Sequence, residues 1–180
     1  MLATLKNAKR FMGVPDDDIS QDLIILSALK AATAGIERVA NRSFEFKTYR
    51  QVLDGPGTQF LRLRNFPIST IATLRIDGNP LTADQYSIEA ENGMLFRRSG
   101  WPCGARIIEV EYSAGYILPS DQEGAAASTL PENYSLACIL YAQMLMRTPG
   151  VQSERVGDIS VAYKDDGGDL PAAVKSLISL

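Results

Sequence analysis

Histidine is absent from the 180 residues. With it go the commonest general base, the usual zinc ligands and the Ser–His and Cys–His dyads. Cysteine is scarce: Cys103 and Cys138 stand apart, one in a loop and one in mid-helix, without metal-ligand spacing. They read as reduced structural thiols of a cytoplasmic protein. Neither sign of charge dominates. A net charge of −3 and a pI near 5 leave no basic footprint of the kind that marks a dedicated nucleic-acid binder. Long apolar runs are missing too. Residues 136–146, interrupted only by Gln143, are too few to cross a bilayer and read as a buried helix. The first twelve residues carry Lys6, Lys9 and Arg10 but no signal-peptide core. No membrane partner is expected, and the chain reads as soluble and intracellular where it is made.

What is present is an ordinary globular composition, 46% apolar and 22% charged. The length suits one domain, or one domain with a large insertion, able to bury roughly 70% of its unfolded surface. The order of parts is helix, β-module, helix. A short amphipathic helix is expected over residues 2–12, stopping at Gly13-Val14-Pro15. Asp16, Asp17 and Asp18 stand where a helix takes a cap and negative charge in its first turn. The helix of residues 16–41 that follows has apolar residues on more than one face at Leu23, Ile24, Ile25 and Leu26, then small residues at Ala28, Ala31, Ala32, Ala34 and Gly35. That belt fits close packing on two sides, either in a bundle centre or at a subunit interface.

Five or six strand patterns separated by turns occupy residues 44–116. Residues 44–53 alternate, with Phe44, Phe46, Thr48 and Val52 on one side. A turn at Asp54-Gly55-Pro56-Gly57 leads to residues 60–64, with Leu61 and Leu63 inward. Residues 70–77 end in Asp77-Gly78, a tight-turn signal, and Glu91-Asn92-Gly93 marks a hairpin between residues 86–90 and 94–98. Residues 106–112 complete the module with Ile108, Val110 and Tyr112 inward. The outward face carries Arg62, Arg64, Arg75, Arg97, Arg98, Glu109 and Glu111, the mixed charge of a solvated sheet. A Pro/Ser/Ala/Gly-rich loop over residues 118–130 has the composition of a mobile segment. Pro131 then suits the first turn of a helix running to residue 148, with Pro149-Gly150 ending it. A strand over residues 156–163, a loop over 164–169 and a short helix over 170–180 close the chain. The fold class expected is α+β: a small helical bundle with an inserted antiparallel β-module and a C-terminal strand plus short helix. It forms one domain over residues 1–180, with a helical platform at 1–42 and 131–150, the insertion at 44–116 and a tail at 151–180.

No catalytic, cofactor-binding or metal-ligating residue emerges. Cys103, in Gly100-Trp101-Pro102-Cys103-Gly104, has no histidine to activate it. Asp165-Asp166-Gly167-Gly168-Asp169 lacks the alternating oxygen ligands and terminal glutamate of a calcium loop. Gly55-Pro56-Gly57 has no phosphate-binding pattern around it, and Glu109 and Glu111 stand beside arginines on one strand face as solvated carboxylates. The chain is expected not to be an enzyme.

Four stretches in this order resemble one family: Ala32-Thr33-Ala34-Gly35-Ile36-Glu37-Arg38-Val39-Ala40-Asn41-Arg42-Ser43-Phe44; Val110-Glu111-Tyr112-Ser113-Ala114-Gly115-Tyr116; Leu130-Pro131 opening an apolar helix; and Val156-Gly157-Asp158-Ile159-Ser160-Val161-Ala162-Tyr163 before Leu170-Pro171. Together they are similar to the head–tail connector, or adaptor, proteins of long-tailed double-stranded DNA bacteriophages and gene-transfer particles. The resemblance implies a virion protein of the capsid vertex or neck, made in the host bacterial cytoplasm. It further implies a homo-oligomeric ring of twelve subunits on the portal protein, which extends the DNA channel and docks a further head-completion or tail protein. Twelve chains at −3 would carry 12 × −3 = −36, suited to letting double-stranded DNA pass without specific binding, since basic contacts supply most non-specific affinity. Under that reading Leu23, Ile25, Tyr141 and Leu145 are ring-interface candidates. Leu170, Pro171, Val174, Leu177, Ile178 and Leu180 are portal-anchor candidates, because Leu170, Val174, Leu177 and Ile178 recur at helical spacing and a helix so short must pack on something. Packing on its own protomer is the competing reading of that stripe. A non-enzymatic β-rich binding module of another assembly is the competing reading of the chain.

Overall fold

The computed structural model describes residues 1–146, 153–156, 159–162 and 170–178. In chain order the elements are α1 (Leu5–Met12), α2 (Asp22–Ala40), β1 (Lys47–Pro56), β2 (Phe60–Arg62), β3 (Ile68–Ile76), β4 (Asn79–Pro80), β5 (Ser87–Glu89), β6 (Met94–Phe96), β7 (Cys103–Ala114), α3 (Glu132–Leu145), β8 (Ser153–Val156), β9 (Ile159–Ala162) and α4 (Ala172–Leu177). The fold is α+β. It divides into two compact units, one of Met1–Ala40 with Leu118–Leu180 and one of Asn41–Ile117. The expected helix end at residues 147–150, the loop at 164–169 and Leu180 lie outside the described residues.

In the helical unit, Thr4 caps α1: its backbone is extended and its Oγ1 accepts from the Asn7 N–H at 3.1 Å. The helix therefore starts at Leu5 rather than Leu2, and Leu2 and Ala3 are buried ahead of it. Gly13, at φ +73°, closes the other end in the left-handed conformation. Lys9 is the decisive side chain of this region. It is only 3% exposed, and its Nζ donates to Asp16 O at 3.0 Å, Asp18 O at 2.7 Å and Asp22 Oδ1 at 2.9 Å. Three donors meet three acceptors, which is what a buried ammonium requires. The expected capping role of Asp16, Asp17 and Asp18 is thus corrected. α2 begins at Asp22, and the aspartate triplet forms a turn whose backbone carbonyls enclose Lys9. Asp18 instead accepts from the Ser20 N–H at 3.0 Å, and hydrogen bonding to Ser20 holds its carboxyl below the usual range.

α2 and α3 pack through their smallest residues. Ile25, Ala28, Leu29, Ala32 and Ile36 are buried on α2, and Ala137, Cys138, Ile139 and Ala142 on α3. The Cys138 thiol lies 3.5 Å from Thr33 Oγ1 and donates to Leu29 O at 3.7 Å, while Tyr141 lies against Gly35. Contacts that advance together along both helices mean that the two run parallel. The Ser135 hydroxyl donates to Leu2 O at 2.8 Å, tying the N-terminus to α3. Pro131 sits at the N-cap of α3 rather than in its first turn. α4 packs on α3, with Leu170, Pro171, Val174 and Ile178 buried and Asn133 Nδ2 donating to Leu177 O at 2.6 Å. The single strand expected at 156–163 is two strands, β8 and β9, paired antiparallel from Ser153↔Ala162 to Val156↔Ile159.

In the other unit, β1, β7, β3 and β4 form one antiparallel sheet in that order, and β2, β6 and β5 form a second. Leu61, Leu63, Ile68, Leu74, Leu95, Trp101, Ile108, Val110, Tyr112 and Ala114 make the core. Of the residues expected on one side of β1, Thr48 and Val52 share its exposed face. The strand starts at Lys47, and its pairing sets Tyr49, Gln51 and Leu53 opposite the inward Tyr112, Val110 and Ile108. The opposite parity then leaves Val52 46% exposed; Phe46, just before the strand, is 47% exposed, and Phe44 is buried ahead of it. β1 also runs through the expected turn to Pro56, with a bulge between Leu53 and Gly55. At Gly55 a Cβ would lie 1.9 Å from Pro102 O, so only glycine fits. The two reverse turns are as expected: Asp77 and Gly78 take φ +50° and +77°, and Gly93 closes the second at +66°. A polar network joins the layers, with the Asn65 N–H donating to Tyr112 Oη at 3.1 Å, Tyr112 donating to Gln51 Oε1, and the Ser43 N–H donating to Asn65 Oδ1 at 2.8 Å. The ends of the unit are fastened to each other, Phe46 N–H to Tyr116 O at 2.8 Å and Tyr116 N–H to Phe44 O at 2.7 Å.

Two stability predictions follow from these contacts. Lys9→Met keeps the apolar stem but strands three acceptors, one of them a charged carboxylate, and should cost about 2–4 kcal/mol in chemical denaturation. Gly55→Ala forces the Pro102 segment to move and should cost about 2 kcal/mol or more, against a near-neutral Ala105→Ser control at an exposed site.

Candidate functional site

Three open concavities lie among the described residues. One of about 310 Å³ is lined by Met1, Thr4, Leu5, Leu26 and residues 119–122. Another of about 290 Å³ lies on the open face of the larger sheet among Arg50, Val52, Thr73, Arg75, Glu109 and Glu111. On that face Glu111 accepts from Arg50 at 3.2 Å, and Glu109 stands between Val52 and Arg75 in the strand register. The carboxylates therefore alternate with guanidinium groups across the sheet and are not held as an acid–base pair. A third concavity, of about 280 Å³, borders the Lys9 turn, whose ammonium is already saturated. Among the described residues no group of three or more acidic or cysteine side chains could hold a metal ion, and no helix is long and apolar enough to cross a membrane. Cys138 is buried, and burial pushes its thiol above the ordinary value; Cys103 is exposed at the start of β7.

The unusual surface is apolar and helical. Ile19, Leu23 and Ile24 are 77%, 80% and 57% exposed at the N-terminal end of α2. The same outward stripe continues as Ser27, Ala31 and Ala34, all exposed and all small. On α3, Leu136 and Met144 are exposed, with Leu140 and Gln143 half-buried between them. The residues joining α2 to α3 lie on the opposite side of each helix, so the two stripes point away from each other, and α4 borders the α3 stripe at its N-terminal end, where Asn133 donates to Leu177 O. Isolated exposed apolar residues are normal; these stand in rows along two helices.

The sequence candidates divide across this geometry. Leu23 is on the exposed stripe, and Leu145 is exposed at the end of α3. Ile25 is fully buried in its own unit, and Tyr141 is half-buried against Gly35. Ile19, Ile24, Leu136 and Met144 complete the exposed set and were not singled out by apolar content alone. Helical phase finds Ile24: positions 23, 24, 27, 31, 34 and 38 share a side of α2 opposite 25, 28, 29, 32 and 36, whereas Ile19 precedes the helix and Leu136 and Met144 share a side of α3 with Leu140. Of the portal-anchor candidates, Leu170, Pro171, Val174 and Ile178 are buried in their own unit and Leu177 is half-buried.

A family model described as head completion protein matches residues 1–180. No curated protein matches the chain. Several solved structures share its fold. A chain from the neck of an empty GTA particle computed with C6 symmetry is 18% identical, with a TM-score of 0.59 over 98% of this chain and 87% of that one. A chain from the neck of a native GTA particle computed with C12 symmetry is 18% identical, with a TM-score of 0.53 over 85% and 80%. A chain from the virion of a native gene transfer agent particle is 17% identical, with a TM-score of 0.60 over 98% and 89%.

The two thiols give a direct check on the packing. In native protein near pH 8 a thiol reagent should label Cys103 within minutes and leave Cys138 unreacted, and denaturant should release the second thiol. Equal labelling of both in the native state would mean that α2 and α3 do not enclose Cys138.

Proposed function

Because the chain belongs to the head completion protein family, we propose that it is a head–tail connector subunit of a tailed particle. It forms a ring on the portal, extends the DNA channel and presents a docking surface to the next head-completion or tail protein. Its place is the capsid vertex or neck of the virion, and its role is structural, without turnover. The observation that carries this reading is the match of the whole chain to one family, joined to a fold shared along 98% of its length with a chain from a particle neck. The C12 symmetry of the second neck structure supports a count of twelve copies.

The physical chemistry agrees with the role. The helical unit holds nine basic against thirteen acidic side chains, and the β unit nine against eight, so the net negative charge lies in the helical unit, outside its helices. A ring of such chains attracts no condensed phosphate backbone and does not grip DNA that must slide through it. The exposed apolar stripes of α2 and α3 supply the contacts between copies. In this assignment the C-terminal stripe of Leu170, Val174, Leu177 and Ile178 is the portal-facing segment. It exchanges its seat on α3 for one on the portal, so that one apolar burial replaces another.

The test is assembly on heads. Purified protein added to DNA-filled, portal-bearing heads that lack it should give a ring coaxial with the portal in cryo-electron microscopy and restore tail joining. At about 0.15 M salt the free protein should retain no duplex DNA. Heads that join tails equally well without it, or protein that binds away from the portal vertex, would overturn the assignment.

A further inference from the structure

The two apolar stripes differ in kind. That of α2 is a shallow trough of Ser27, Ala31 and Ala34 with Leu23 and Ile24 at one end, whereas that of α3 is a ridge of Leu136, Leu140 and Met144 at spacings of four. Neither stripe is complementary to itself: ridge on ridge leaves gaps, and trough on trough leaves nothing to fill it. Ridge in trough fits, because large side chains enter the space that small ones leave. Charge agrees with the same pairing. The exposed charged residues of α2 are Lys30 and Arg38, while the one charged residue of α3 is Glu132.

We infer that copies of this chain associate head to tail, the α3 ridge of one seated in the α2 trough of the next. The inference rests on the ring reading above and specifies its interface. A contact between two different faces repeats from copy to copy and closes when the rotation per step divides the circle, whereas a contact of one face with itself stops at a dimer. Because the stripes point in opposite directions from one helix pair, each copy has one donor and one acceptor side. Direction is fixed as well. α2 and α3 run parallel within a copy, and a step of about 30°, which twelvefold symmetry requires, leaves the neighbour's α3 within that angle of parallel to α2. Contacts at Cys138–Thr33 and Tyr141–Gly35 set the level of the two helices. If neighbours meet at the same level, Leu136 and Leu140 fall against Ser27, Ala31 and Ala34, and Glu132, near the level of Ile25, lies about one and a half turns from Lys30.

Two substitutions at exposed, helix-tolerant positions test this. Ala31→Glu spoils only the trough, and Leu136→Glu spoils only the ridge. Circular dichroism should be unchanged for both. On portal-bearing heads neither variant alone should form a ring. In mass photometry at concentrations where wild type assembles, each variant alone should be monomeric. Their mixture should give a species of twice the monomer mass and no larger one, because one intact ridge meets one intact trough and the remaining sides are both blocked. A mixture that stays monomeric, or single variants that still assemble, would overturn the face assignment. Either variant dimerising by itself would instead indicate a self-paired face. Wild type that assembles neither free nor on heads would overturn the ring reading itself.

Discussion

Cys138 of α3 rests between Leu29 and Thr33 of α2, and Tyr141 leans on Gly35, so the helices meet where their side chains are smallest. Parallel neighbours cannot be joined by a tight turn. The segment 118–130 re-enters the helical unit beside Leu26, where residues 119–122 border Met1, Thr4 and Leu5. Its Pro/Ser/Ala/Gly composition suits a strap that follows the surface, and Asp121 fastens it by accepting from the Lys6 N–H at 3.1 Å.

The same parallel contact decides what the helices expose. Each uses one side to hold the other; the far side of α2 carries the exposed stripe, and the far side of α3 carries the Leu136, Leu140 and Met144 ridge beside Asn133, which holds α4. Burying small residues inside brings the axes close, but it also means that the unit's own core is thin. Large apolar side chains such as Leu23 and Ile24 are then left outside rather than folded in. For an isolated chain that is a solubility liability. Under the ring reading proposed above it is the source of association, since obligate interfaces resemble a protein core divided in two.

Much of this was legible in the amino-acid pattern. The α+β class, the positions of the helices, the Asp77-Gly78 and Glu91-Asn92-Gly93 turns and the inward set Ile108, Val110 and Tyr112 follow from periodicity and turn chemistry. The misreadings have local causes. β1 was phased from Phe44, which is buried before the strand starts, and one residue of shift reverses both faces. The aspartate triplet has the composition of a helix cap and acidic first turn, yet Lys9, thirteen residues ahead of Asp22, draws it into a turn. Apolar content marked α2 as a two-sided helix but did not say which side each residue took. Ile25 and Leu23 are two positions apart and about 160° apart in direction, one wholly buried and the other 80% exposed.

Lys9 invites comparison with a bound cation. Two backbone carbonyls and one carboxylate, converging within 3.0 Å on a single positive centre, are the ligands a loop would offer to calcium. Here the cation is covalently part of the chain. It cannot be chelated, exchanged or diluted away, so the joint between α1 and α2 keeps its shape in calcium-free buffer as well as in millimolar calcium. A particle built from such subunits can leave one ionic environment and enter another with this corner of its structure indifferent to the change.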